Sequence, residues 1–237
     1  ANFAVQSRRT GRPANVKSFD LDPNDTMRII NAARFSGLAF LAAFLFTIFS
    51  LRLGLRTATV QLPRQVWLQE NEALWMVGGW LWLLAVFSWM VLLVALIWSY
   101  LPGHRIATML QSGLMIISAV LTIAGVITWM NVLPYAAGQP NAVELIPFVD
   151  ALALTFLGAG LFMGGAVTAW LTIDLARLNA LPSAWVAPAI GAGVCFVPAP
   201  FVLPWPYLAL VGLVLWLGWC LFLGTRREMP SAYSEWL

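Results

Sequence analysis

The strongest constraint in this sequence is a succession of apolar blocks, each long enough to cross a bilayer and each nearly free of charge. They run roughly over 35–55, 73–101, 106–133, 148–173, 184–203 and 206–225. A helix crossing the ~30 Å hydrocarbon core needs about 20 apolar residues, at ~1.5 Å of rise each. Backbone N–H and C=O groups cannot be left unpaired in hydrocarbon, and an α-helix pairs them within one segment. The pattern therefore predicts an all-α fold: a polytopic integral membrane helical bundle of about six transmembrane helices. Composition agrees. Of the 237 residues, 61% are hydrophobic and 10% charged, against about 25% charged in soluble domains. The spans read as one domain, 26–225, between a polar arm, 1–25, and a polar tail, 226–237.

Punctuation between the blocks sets the expected connections. Asn24-Asp25-Thr26 offers an N-cap, with helix from Met27 onward. The first apolar block follows a polar segment and is long enough to remain as a signal-anchor helix. Segment 56–72 mixes Val60, Leu62, Val66, Trp67 and Leu68 with polar residues and has room for a short interfacial helix. Leu101-Pro102-Gly103-His104-Arg105 is a tight turn, making the second and third spans an antiparallel hairpin. Pro134, Gly138, Pro140, Asn141 and Pro147 mark 134–147 as a loop. The fifth block holds Pro188, Gly191, Gly193, Pro198, Pro200 and Pro204, and is expected to be a proline-bent crossing.

Charge orients the bundle, because Lys and Arg near span ends favour the cytoplasm. Six spans put Arg8, Arg9, Arg12, Lys17, Arg28, Arg34, Arg105, Arg177, Arg226 and Arg227 on the side of both termini. Only Arg52, Arg56 and Arg64 fall on the other. Both termini are expected inside, in a bacterial plasma (inner) membrane or a photosynthetic membrane. The net charge of +3 is too small to argue for nucleic acid. Cys195 and Cys220 lie in apolar segments and read as buried free thiols.

Few residues within the spans can do chemistry. The second span carries Trp75, Trp80, Trp82, Trp89 and Trp98. Trp75, Trp82 and Trp89 repeat every seven residues and share a face. Trp75 and Trp98 suit the interfacial aromatic belt. Trp82 and Trp89 lie deeper, where they pack on lipid or a neighbouring helix, or form a flat wall for a pigment, quinone or lipid ring. On the third span Gln111, Ser118, Thr122 and Gly125 form a polar seam, with Asn131 near its outer end. Such seams make interhelical hydrogen bonds; the sharper alternative is the wall of a solute path. On the fourth span Gly160, Gly164 and Thr168 form a small-residue face for close helix approach, with Gly158 and Gly165 nearby.

Charged groups inside spans are functional candidates by default. Asp150 is the foremost, near the outer end of the fourth span. Pairing with Arg52 or Arg56, or capping of the helix, is weighed against a proton or cation role. Asp174 and Arg177 read as a local surface pair. No charge sits in the middle of a span. His104, the only histidine, could be one ligand to a pigment magnesium at the membrane surface, so bis-histidine haem and His-rich metal sites are excluded. The only lysine, Lys17, lies outside the spans, which excludes a retinal Schiff base. No cofactor is predicted, although a bound lipid or pigment would suit these spans.

The reading that follows is a non-catalytic membrane subunit or accessory protein, packing against other membrane protein subunits, lipid or pigment. A small-solute transporter or channel, using the third-span seam and Asp150, is the alternative. An enzyme acting on lipid comes last, for want of a nucleophile, metal site or acid–base pair.

Overall fold

The structure is a computed structural model that describes residues 17–19, 22–55, 61–101, 105–178, 183–198, 207–226 and 232–234. The chain is a helical bundle with five helices long and apolar enough to cross a membrane, and a shorter apolar one. Helix α1 spans Pro23–Ser50, α2 Gln61–Glu70 and α3 Glu72–Tyr100. Helix α4, Arg105–Ile127, continues through a π-turn at Thr128–Val132 into α5, Leu133–Ala137. Helix α6 runs Ala142–Arg177, α7 Ser183–Phe196 and α8 Tyr207–Thr225. Strands β1, Lys17–Phe19, and β2, Ala232–Ser234, pair antiparallel.

Helices α1, α3, α4, α6, α7 and α8 touch in that order, and α8 returns to α1. They close a ring, whose interior is filled by Trp89, Phe196, Trp216, Trp219 and Phe40. Ring centroids lie 5.6 Å apart for Trp89–Phe196, 6.1 Å for Trp89–Trp216 and 5.2 Å for Trp216–Trp219. Tilted and edge contacts of this kind are worth about 0.5–1.5 kcal/mol each beyond area burial. That matters here, because lipid tails are as apolar as leucine and packing rather than water drives helix association.

Several expected boundaries move. The N-cap of α1 is Asp22, whose carboxylate accepts from the Asn24 N–H at 2.9 Å, not Asn24. Pro23 then fits the first helical turn, where no N–H is needed. Both ends of the expected 134–147 loop are helical, leaving 138–141 as the connection. Pro134 stands at the start of α5 and Pro147 lies within α6. The fifth expected span is described only in part. Helix α7 has 14 residues, about 21 Å of rise, short of the ~30 Å core. It ends two residues before Pro198, and the residue preceding a proline disfavours helix. The remainder of that expected span, 199–203, lies outside the described residues.

The β1–β2 ribbon, together with a hydrogen bond from α1 to the end of α8, puts the start of α1 and the end of α8 on one face, the terminal face. Three crossings separate it from the 138–141 turn. A cysteine at position 138 is therefore expected to react with an impermeant maleimide from the side opposite to a cysteine at position 28. Labelling of both from one side would overturn this topology.

Candidate functional site

The far end of the bundle holds a second cluster, where α2 lies on α3, α5 and α6 around Leu51, Leu68, Trp75, Leu133 and Ile146. An ion pair is buried within it. Arg64 Nη1 donates to Asp150 Oδ2 at 2.6 Å and Nη2 to Oδ1 at 2.8 Å. The two side chains are 7% and 2% exposed. Two parallel N–H···O bonds use the planar fork of arginine, which a lysine cannot reproduce. The third donor direction is filled as well, since Arg64 Nε donates to the Gly54 carbonyl at 2.7 Å.

Gly54 is required there. A Cβ at that position would lie 2.8 Å from atoms of both the Trp67 and Trp75 rings. Only a bare backbone can pass the two indoles and bring its carbonyl to the guanidinium. Asp150 gains a further bond, from Trp129 Nε1 at 3.0 Å. The π-turn sets Trp129 in place and frees its carbonyl. Pro134, five residues on, has no N–H to offer, and Trp75 Nε1 donates to that carbonyl instead, at 2.8 Å. Trp67, Trp75 and Trp129 then stack edge-on in sequence, at 6.2 and 6.5 Å. Gln65 and Gln69 donate to the Ala137 carbonyl at 2.9 and 2.6 Å, satisfying an orphan acceptor at the end of α5. Helix α2 is thus fixed to the bundle by an ion pair, two amides and Leu68.

Asp150 lies at the far end, and the arginine it meets is neither of the two weighed from the sequence. Arg52 is exposed and Arg56 lies outside the described residues; Arg64 holds the carboxylate. Trp75 also departs from expectation. It is 5% exposed and hydrogen-bonded inside the cluster rather than standing in an interfacial belt. Trp98, near the other end of α3, is 57% exposed.

The remaining candidates separate into two places. Trp82 donates from Nε1 to Thr47 Oγ1 at 2.9 Å, joining α3 to α1. Trp89 is buried in the ring interior. Both indoles offered as a wall for a flat ligand pack on rings of the protein itself, Phe40 for Trp82 and Phe196 and Trp216 for Trp89. His104 lies outside the described residues. The third-span seam is an α4–α6 contact. Ser118 Oγ donates to the Gly160 carbonyl at 2.7 Å, and Thr122 Oγ1 to the Ser118 carbonyl at 2.8 Å. Gly160 faces Thr122 and Ser118, while Gly164 faces Trp89 and Ser118. The small-residue face therefore has an internal partner. Gly165 meets Gly193 of α7 in the same manner on the other side of α6.

Gln111 lies at the terminal face, where its Nε2 donates to Asp174 Oδ2 at 2.8 Å. Asp174 also has its expected neighbour, Arg177, at 3.6 Å. Among the described residues, Gln111 Oε1, Ser112 Oγ, Trp89 Nε1 and Trp219 Nε1 are buried without a hydrogen-bond partner. Asn131 is exposed, and its Nδ2 donates to the Ile127 carbonyl. The chain matches no protein-family model, no curated protein and no solved structure.

Proposed function

We propose that this chain is a non-catalytic integral membrane subunit that packs against protein partners in a larger complex of a bacterial plasma or photosynthetic membrane. One observation carries the reading: the polar groups a solute path would use are spent on joining helices. Asp150 already accepts three hydrogen bonds, two of them from one guanidinium. Both oxygens of that carboxylate are turned to Arg64 and Trp129 rather than to a solute. Ser118 bonds the α6 backbone, while Thr122, bonded within α4, packs against Gly160 of α6. The ring interior, where a path would run, is occupied by tryptophan.

The transporter reading keeps one supporting feature, the donorless Gln111 Oε1 on the residue that bonds Asp174. Two measurements separate the readings. In mild detergent, the chain is expected to migrate with other membrane proteins. Reconstituted alone in proteoliposomes, it is expected to pass solutes no faster than empty vesicles, with Gln111→Ala and Asp150→Asn indistinguishable from the parent. A chain that is stable alone and supports a flux lowered by Gln111→Ala would sink the subunit reading.

A further inference from the structure

Buried polar groups divide the bundle into two unlike halves. In the far half, Arg64, Asp150, Trp75 and Trp129 all have hydrogen-bond partners. Among the described residues, Trp89 Nε1, Gln111 Oε1, Ser112 Oγ and Trp219 Nε1 are buried without one. All four lie nearer the terminal face. Trp219 is six residues from the end of α8, ~9 Å of rise. Gln111 and Ser112 are six and seven residues into α4, and Trp89 is eleven from the end of α3.

These orphans are not equivalent. A hydroxyl on a helix can turn back to the carbonyl four residues earlier, as Thr168 and Thr172 do. An indole N–H cannot, so Trp89 and Trp219 carry the argument, together with the Gln111 oxygen. The two indoles are surrounded by rings: Trp89 by Phe196 and Trp216, and Trp219 by Trp216. A buried donor or acceptor left unpaired forfeits its hydration in full. Ring faces are weak acceptors and restore only part of it. Water cannot restore the rest while the rings stay in contact, because a bridging water needs room. Helix α8 packs chiefly on α1 and α7, whereas Trp89 and Gln111 stand on α3 and α4. Side chains, not a helix–helix seam, therefore close this half across the interior.

We propose that the terminal half of the bundle opens to water while the far half stays shut. Separation of α8 from α3 and α4 by the width of a water molecule gives the Trp89 and Trp219 N–H groups and Gln111 Oε1 the partners they lack. At the far end the same movement gains nothing, because it would break the Arg64–Asp150 pair and the bonds of Trp75 and Trp129. The opening is one-sided, so it makes a vestibule and not a passage. The bond from Ser118 to the Gly160 carbonyl, level with the tip of Trp89, marks its floor.

The test labels single cysteines in the full chain in detergent, with Cys195→Ala and Cys220→Ala as background and a charged, water-soluble methanethiosulfonate as the probe. Ser112→Cys reports the terminal half; Ala136→Cys, buried close to the far end, reports the other. The first is expected to react about tenfold faster, the shift in opening that one satisfied group provides. Equal rates, or faster reaction of Ala136→Cys, would overturn the opening. A second arm asks whether an orphaned group drives it. Benzothienylalanine keeps the shape of tryptophan and carries sulfur in place of the N–H. In place of Trp219 it is expected to raise the melting temperature and to slow labelling of Ser112→Cys about tenfold. In place of Trp216, whose N–H donates to Ser36 Oγ at 3.2 Å, it is expected to do the reverse. If the change at Trp219 lowers melting or leaves labelling unchanged, that N–H is already satisfied and the proposal fails. The same response at both positions would sink it too, by tracing the effect to the ring and not to the N–H.

Discussion

Arg64→Met is expected to destabilise the folded chain by about 3–5 kcal/mol, because it leaves the Asp150 carboxylate charged in a site that excludes water. Asp150 would keep only the Trp129 indole as a partner, and the Gly54 carbonyl would lose its donor. The double variant Arg64→Met with Asp150→Leu is expected to recover most of the loss, since well-packed apolar side chains replace a buried ion pair at little net cost. Arg64→Lys is expected to fall between them: it keeps the charge but not the fork. Thermal melting in detergent reads all three, and limited proteolysis after residue 70 reads the release of α2. A single variant that melts with the parent would mean that water reaches the pair and that it does not anchor α2. Comparing the single with the double variant separates the harm of an orphaned charge from the net worth of the pair, which a single substitution cannot do.

Much of this architecture was legible in the sequence because the bilayer demands it. Long apolar blocks have one solution in hydrocarbon, so α3 and α8 fall within a residue or so of their expected limits. Helix ends were harder, because interfacial turns tolerate polar residues within a helix and hydropathy stops reporting there. Helix α1 begins well before its apolar block, at a cap made by Asp22, and α6 begins before Pro147. The fifth block was apolar throughout, but apolarity does not measure helix length, and its prolines shorten α7. Asp150 could be singled out because acids in spans are rare; its partner could not. Arg64 lies 86 positions away on a mixed polar segment where nothing marks it as buried. One signal was present. Arg64, Trp67 and Leu68 recur at i, i+3 and i+4, an apolar helical face with an arginine in it. An arginine there must find an acid, and Asp150, within a span at the same end of the bundle, was one. The far-end π-turn left no such trace. It follows from Pro134 and tertiary packing together.

Gly160→Ile is expected to be the most damaging change on the α4–α6 contact, well beyond the effect of Gly160→Ala. A Cβ at Gly160 collides with Thr122 Oγ1 and lies 2.8 Å from both the Ser118 carbonyl and the Thr122 amide nitrogen. Two of these atoms are backbone, so no rotamer change relieves the clash and the helices must move apart. Overpacking of this kind costs about 1–3 kcal/mol for alanine and more for a branched side chain. Separation also lengthens the 2.7 Å bond from Ser118 Oγ to the Gly160 carbonyl, worth about 0.6 kcal/mol inside a membrane. Gly113 supplies the contrast on the same helix pair. Nothing lies within 4 Å of a Cβ placed there. Gly113→Ala is expected to be neutral, or to stabilise by about 0.5–1 kcal/mol through the lost freedom of the unfolded chain. Melting of the three variants, with their oligomeric state measured in parallel, distinguishes two uses of a small-residue face. If Gly160→Ile changes association between chains but not melting, the face serves a partner copy. If it lowers melting while the oligomeric state holds, the glycines join α4 to α6 within one chain, and close approach of those two helices is what holds Ser118 and Thr122 away from any solute.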